Sequence, residues 1–130
     1  MAAEDEIRQA SEQFYAALNR AINGDPGPMM EVWSHDGSDV TSMDPPGGIK
    51  VGWEEVRAGW EQFYAQGMSE GQVSLDDLVI LPIADDVAYT VGTVHGQVHT
   101  IGVDLRVTNI YRREGGEWKI VHHHTDKPVR

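Results

Sequence analysis

The run His122-His123-His124-Thr125-Asp126 sets three imidazoles, a hydroxyl and a carboxylate on consecutive positions, groups suited to proton transfer or to holding a metal ion. It follows Trp118-Lys119-Ile120-Val121, which has strand character, so it belongs to a folded element and not to an appended tag. Alternation along a strand puts His122 and His124 on the face of Trp118 and Ile120, and His123 and Thr125 on the face of Lys119 and Val121. Only one set can face an interior unless a bulge intervenes. His122 and His124, roughly 6.6 Å apart along the strand, could ligate zinc with His95 or His99 as the third ligand. The plainer alternative places them at a dimer interface or in bonds to neighbouring side chains. The second chemical group is Asp44, which ends Val40-Thr41-Ser42-Met43-Asp44 just before Pro45-Pro46-Gly47-Gly48. A carboxylate there suits a general base, and its plainer alternative is a turn aspartate ahead of proline.

These groups need elements to position them. Ile7, Ala10, Phe14, Leu18 and Ala21 recur at helical spacing and predict a helix from about Asp5 to Asn23, closed by Gly24. Asp25-Pro26 supplies an N-cap and first-turn proline for a short second helix carrying Met29, Met30 and Trp33. A short strand follows around Asp44, and a third helix from Trp53 to near Gly67 carries Val56, Trp60, Phe63 and Tyr64 on one stripe. Beyond Gly71 the chain turns rich in Val, Ile, Thr and Tyr, predicting strands over about 73–82, 87–98, 101–113 and 118–125. Helices first and a strand meander afterwards give an α+β fold, with three N-terminal helices on a mostly antiparallel sheet. Inside it, Trp33, Trp60 and Tyr64 are expected to line a pocket, with Phe63 in the core. Tyr89, Val91, Thr93 and His95 share one strand face, as do Val107, Asn109 and Tyr111, and both faces are expected to look inward. Arg106 falls on the opposite phase with Asp104 and Thr108, where a surface or interface ion pair is expected rather than a substrate clamp.

Length and composition narrow the function. The 130 residues suit a single domain, 1–130, and 40% apolar residues with ten aromatics suffice for a core. Twenty-one acidic against ten basic residues leave a net charge of −11, which repels phosphate backbones and anionic membranes, so no nucleic-acid or membrane partner is expected. The chain has no cysteine, which excludes disulfides, thiolate nucleophiles and Cys-ligated metals. No apolar run reaches the roughly 20 residues of a membrane span, and the acidic start Met1-Ala2-Ala3-Glu4-Asp5-Glu6 is unlike a signal peptide. A soluble cytoplasmic protein is the expectation.

Glu12-Gln13-Phe14-Tyr15-Ala16-Ala17-Leu18-Asn19, Gly24-Asp25, Asp44-Pro45, Gly52 ahead of a helix, and Glu117-Trp118-Lys119-Ile120-Val121-His122 together resemble the NTF2-like superfamily, specifically its SnoaL-like and ketosteroid-isomerase-like members. The resemblance spans nearly the whole chain. It implies a cystatin-like cone, with a strongly curved sheet around the long helices, a mostly apolar pocket inside, and homodimerisation through the sheet. Asp44 takes the place of the isomerase base. The isomerase's two oxyanion donors, a tyrosine and a protonated aspartic acid, fall on Phe14 and near Thr108 or Asn109, so a true steroid isomerase is not expected, whereas a related proton transfer using Asp44 with Asn109, Tyr111 or Tyr15 is. The ending is also similar to the association domain of calmodulin-dependent kinase, which places His123 and Thr125 inside, and to iota-class carbonic anhydrases, in which three histidines precede two serines.

Three functions stay open on the residues alone. The first is binding of a small, mainly apolar organic ligand, with cofactor-independent proton transfer of isomerase, cyclase or dehydratase type by Asp44. Its ligand-binding residues would be Tyr15, Trp33, Trp60, Tyr64, Tyr89, His95, Asn109, Tyr111, His123 and Thr125. The second is a non-catalytic association module, and the third is carbonic-anhydrase-like hydration by the His-Thr end of the last strand. No metal or cofactor is assigned.

Overall fold

The computed structural model describes residues 2–36, 39–44, 48–65, 71–98 and 101–127. Helix α1 (Ala2–Ile22) buries Ile7, Ser11, Phe14, Ala17 and Ala21 at three- and four-residue steps, with Tyr15 beside them, and has Glu4 and Asp5 in its first turn and Arg20 in its last, as the helix dipole favours. Gly24 closes it in the left-handed region at φ +101°. Helix α2 (Gly27–Val32) begins one residue later than the sequence suggests. Pro26 takes the cap position, while the Asp25 carboxylate accepts the Gly27 N–H at 3.3 Å and pairs with Arg20 at 2.6 Å.

The strands are β1 (Thr41–Met43), β2 (Ile49–Val51), β3 (Gly71–Ala84), β4 (Val87–Val98), β5 (Ile101–Glu114) and β6 (Glu117–Asp126), with helix α3 (Trp53–Ala65) between β2 and β3. They form one six-stranded sheet in the order β2-β1-β6-β5-β4-β3. β1 runs parallel to β6, and the other neighbours are antiparallel. The three-residue β2 is absent from the pattern reading because it is too short to show a period of two. Bulges bend β3 between Asp76 and Val79 and β6 opposite Ile110 and Tyr111. On the concave side α1 and the end of α2 press Ile7, Phe14, Tyr15, Met29 and Trp33 against Val73, Ala88, Val94, Val107, Tyr111 and Ile120. No described helix is long and apolar enough to cross a membrane.

The β3–β4 ladder admits no side chain at Gly96. Its φ is +156°, and an added Cβ would overlap the carbonyl of Gln72 and lie 2.7 Å from the Cα of Val73, both backbone atoms of the paired strand. Gly96→Ala is therefore expected to lower unfolding free energy by about 1–3 kcal/mol, measured by urea denaturation.

Candidate active site

The face that each β6 residue presents depends on one extra residue. Tyr111 pairs with Ile120 and Ile110 with His122, which leaves Val121 without a partner on β5. Ile120 and His123 are therefore three residues apart and both buried, where strict alternation would have put them on opposite faces. Across the sheet, Thr90 of β4, Asn109 of β5, His123 of β6 and Ser42 of β1 are in register, forming a row of buried polar side chains. Thr125 follows in the next inward position, beside Val107.

The His123 ring is 4% exposed and satisfied on one side only. Its Nδ1 stands 2.6 Å from Asn109 Oδ1, and because a carbonyl oxygen only accepts, that contact calls for the Nδ1–H tautomer, in which Nε2 carries the lone pair. Nε2 lies 3.8 Å from Asp44 Oδ1, and that same oxygen accepts the Thr125 hydroxyl at 2.8 Å. Asp44 is just past the end of β1, and its side chain keeps 36% of its surface accessible, so one part of this arrangement is open. The rings of Phe14, Trp60 and Trp33 stand 5.1, 6.2 and 6.4 Å from the His123 ring. Trp53 extends this wall at 6.4 Å from Trp33 and stacks on His35 at 4.3 Å. The arrangement sets an accessible carboxylate beside an imidazole nitrogen, with aromatic rings around the imidazole, groups able to exchange a proton and an apolar surface able to pack on a ligand.

Of the residues singled out from the sequence, Asp44, Tyr15, Trp33, Trp60, Asn109, Tyr111, His123 and Thr125 come together on the inner face. The Tyr64 side chain, like Phe63 and His99, lies outside the described residues. Tyr89 and His95 are on the wrong side: the buried phase of β4 is Ala88, Thr90 and Val94, and Tyr89, Val91, Thr93 and His95 face out. The phase misleads because the rings of Phe14 and Tyr15 on α1 and of Trp33 just past α2 occupy the interior, the inward β4 residues are the small Ala88, Thr90 and Val94, and the outer face of β4 is the more apolar one. With His95 as the third ligand the zinc arrangement is not assembled among the described residues, and the His99 alternative falls outside them. His122 and His124 face outward, with His122 Nδ1 2.7 Å from the Thr41 hydroxyl, while His95 lies between Asp104 and Asp76 at 3.2 and 3.8 Å. Among the described residues no group of three His, Asp or Glu is placed to hold a metal ion. Arg106 makes the expected surface ion pair, with Asp126 at 2.7 Å. Trp53 and Thr90 were not foreseen; Trp53 had a signal, since it is seven residues, or two helical turns, from Trp60. Two surface clefts, of about 660 Å³ beside α1 and α2 and about 550 Å³ on the outer sheet face, do not include Asp44.

Burial holds the His123 imidazole well below its usual value of 6.5, to about 4; the Asp44 charge opposes this and the neighbouring His122 and His124 add to it. The native state thus keeps His123 neutral, whereas the unfolded chain takes up a proton near pH 6.5. The stability linked to this group is complete above about pH 6.5 and is lost as the pH falls toward 4. Urea denaturation between pH 7 and pH 4 is expected to show a steeper loss for the native protein than for His123→Gln, by up to roughly 1.4 kcal/mol per pH unit.

The comparisons with known proteins agree with this architecture. A family model described as a SnoaL-like domain matches residues 7–129. A candidate dehydratase of the NTF2-like family from Streptomyces avermitilis superposes with a TM-score of 0.86 at 21% identity, over 99% of this chain and 98% of that one. An NTF2-like protein of unknown function from Pseudomonas putida gives 0.82 at 25% identity, over 99% and 89%. A candidate ketosteroid isomerase from Parabacteroides distasonis gives 0.67 at 19% identity, over 87% and 83%. No curated protein matches the sequence. With all but the first six residues and the last inside that family model, on an α+β sheet of the NTF2-like type, the chain belongs to the SnoaL-like family.

Proposed function

We propose that this protein binds a small, mainly apolar organic molecule against Trp53 and Trp60 and moves a proton on it without a cofactor, in an isomerase-, cyclase- or dehydratase-type reaction with Asp44 as general base. The observation that carries this is the Asp44–His123 pair: an accessible carboxylate, oriented by Thr125, 3.8 Å from the unprotonated nitrogen of a buried neutral imidazole. Asp44 takes the proton from carbon or from a hydroxyl. Nε2 of His123, 3.8 Å from Oδ1, comes within reach of the protonated carboxyl when the two close by about an ångström and then accepts a hydrogen bond from it, until Asp44 returns the proton to another carbon of the molecule or to the departing hydroxyl. Thr125 keeps the receiving oxygen in place through the cycle. The dehydratase and isomerase descriptions of the structural neighbours lend this reaction class support as analogy only.

The partner in this proposal is a second copy of the chain. The outer sheet face pairs Val79 with Val91 and Leu81 with Tyr89, and continues across to Ile110 beside Tyr89. Val79, Leu81 and Ile83 are among the large apolar side chains left exposed, an arrangement that a face-to-face dimer would cover.

With a panel of cyclic ketones and enones, Asp44→Asn is expected to lower turnover by about 10²- to 10⁴-fold while ligand-induced thermal shifts persist. Equal turnover by both forms would remove Asp44 from the chemistry. In sedimentation velocity at micromolar concentration the protein is expected to run as a dimer and Leu81→Glu as a monomer; a monomeric parent protein would refute the face-to-face pairing.

A further inference from the structure

The outward-facing His122 and His124 stand in the middle of two rows that cross the whole sheet. Val51, Thr41, His122, Ile110, Tyr89 and Leu81 are register partners from β2 through β1, β6, β5 and β4 to β3. Ile49, Met43, His124, Thr108, Val91 and Val79 form the parallel row beside them. All twelve are exposed or half-buried in a single copy, on the face opposite the helices. None is Asp, Glu, Lys or Arg, although 24% of the chain is.

A second copy fits this face on charge and on area. Two chains of net charge −11 repel each other wherever their carboxylates meet, and along these rows they touch without bringing any together. The long strands β3 to β6, of 10 to 14 residues and about 4.8 Å apart, present roughly 600 Å² in plan, and β1 and β2 widen this toward the ~800 Å² per partner that a stable dimer buries.

Burying the rows also buries two imidazoles, and little around them would support a positive charge. Their neighbours are Thr41 and Met43 on β1 and Ile110 and Thr108 on β5, while Asp44, next along β1, turns inward to Thr125. Beyond His124 on β6 comes Asp126, which Arg106 of β5 already holds at 2.7 Å. Arg112, two residues past Ile110, pairs with Glu114 and Asp39, and Lys119 of β6 pairs with Glu117. His95, further along β4, lies apart between Asp104 and Asp76. The His122 and His124 rings are 6.3 Å apart, so two imidazolium charges there repel one another. Burial, with His124 adding to it, holds His122 below its usual 6.5 even in the single copy.

We infer that His122 and His124 gate the face-to-face dimer by pH: it forms while both imidazoles are neutral and opens as they take up protons. The inference rests on the face-to-face pairing proposed above and adds its regulation. The sign follows from linkage, because the separated copies bind protons near pH 6.5 that the covered imidazoles refuse, so association weakens as pH falls through that range.

Sedimentation velocity over a concentration series at pH 8 and pH 6 reads the gate, and far-UV circular dichroism separates dissociation from unfolding. The dimer Kd is expected to rise by about 10- to 10²-fold at pH 6, as two to four imidazoles ionise. Acidification without a gate acts the other way, since it lowers the net charge that drives the copies apart. The double variant His122→Gln with His124→Gln is expected to dimerise equally at both pH values. His124→Gln alone is expected to lose about half of the effect on a logarithmic scale, which keeps the test decisive where the double variant fails to fold. A parent dimer equally tight at both pH values overturns the gate and leaves the pairing standing, and a double variant that weakens as much as the parent overturns the gate as well. A parent protein monomeric at pH 8 refutes the pairing and the gate together.

Discussion

The hydrogen bond from His123 Nδ1 to Asn109 Oδ1 is the constraint around which the inner face is organised. An imidazole this deeply buried cannot leave its N–H unpaired without a cost of about 1–3 kcal/mol, so its register partner on β5 must supply an acceptor. The same interior also buries Ser11 and Tyr15 of α1, Thr90 of β4 and Tyr111 of β5, so it is not a purely aliphatic core. The other ring nitrogen then points toward Asp44, where the interior meets solvent. One buried bond thereby relates the sheet register, the composition of the core and the acid–base character of the opening.

Much of this order was legible in the residues. The amphipathic stripe of α1 and the strands of the second half follow from periodicity, and the chain fragments from Glu12 to His122 point to the family that the comparisons show. Asp44 and Thr125 were each marked by position, and the structure joins them directly. What periodicity could not supply was phase. On β4 the small inward residues Ala88 and Thr90 carry less hydrophobic signal than Tyr89 and Val91 outside them, so Tyr89 and His95 were assigned to the wrong face. On β6 the facing depends on Val121, and a bulge has no signature in composition. The Trp33–Trp60–His123 cluster is legible only after folding, because it joins α2, α3 and β6 through side-chain packing.

The fold and the chemistry rest on different parts of the molecule. Sheet, bulges and α1 place an inward row of polar groups at the centre, on an overall fold like that of solved structures at 21% and 25% identity. The chemical character comes from a few side chains on that row and from the tryptophans over it. Phe14 exemplifies the division: its ring, 5.1 Å from that of His123, contributes hydrophobic cover and carries no hydrogen-bonding group of its own.

The unpaired Val121 bears on how related chains are aligned. In a relative without that residue, the buried aliphatic and the buried imidazole of the last strand stand two apart, and in this chain they stand three apart. A gapless superposition from the tryptophan onward would match His123 here to an outward side chain there, and would credit the wrong histidine of the triplet with the interior role. The spacing between those two positions therefore serves as a ruler for sorting family members by which imidazole they turn inward.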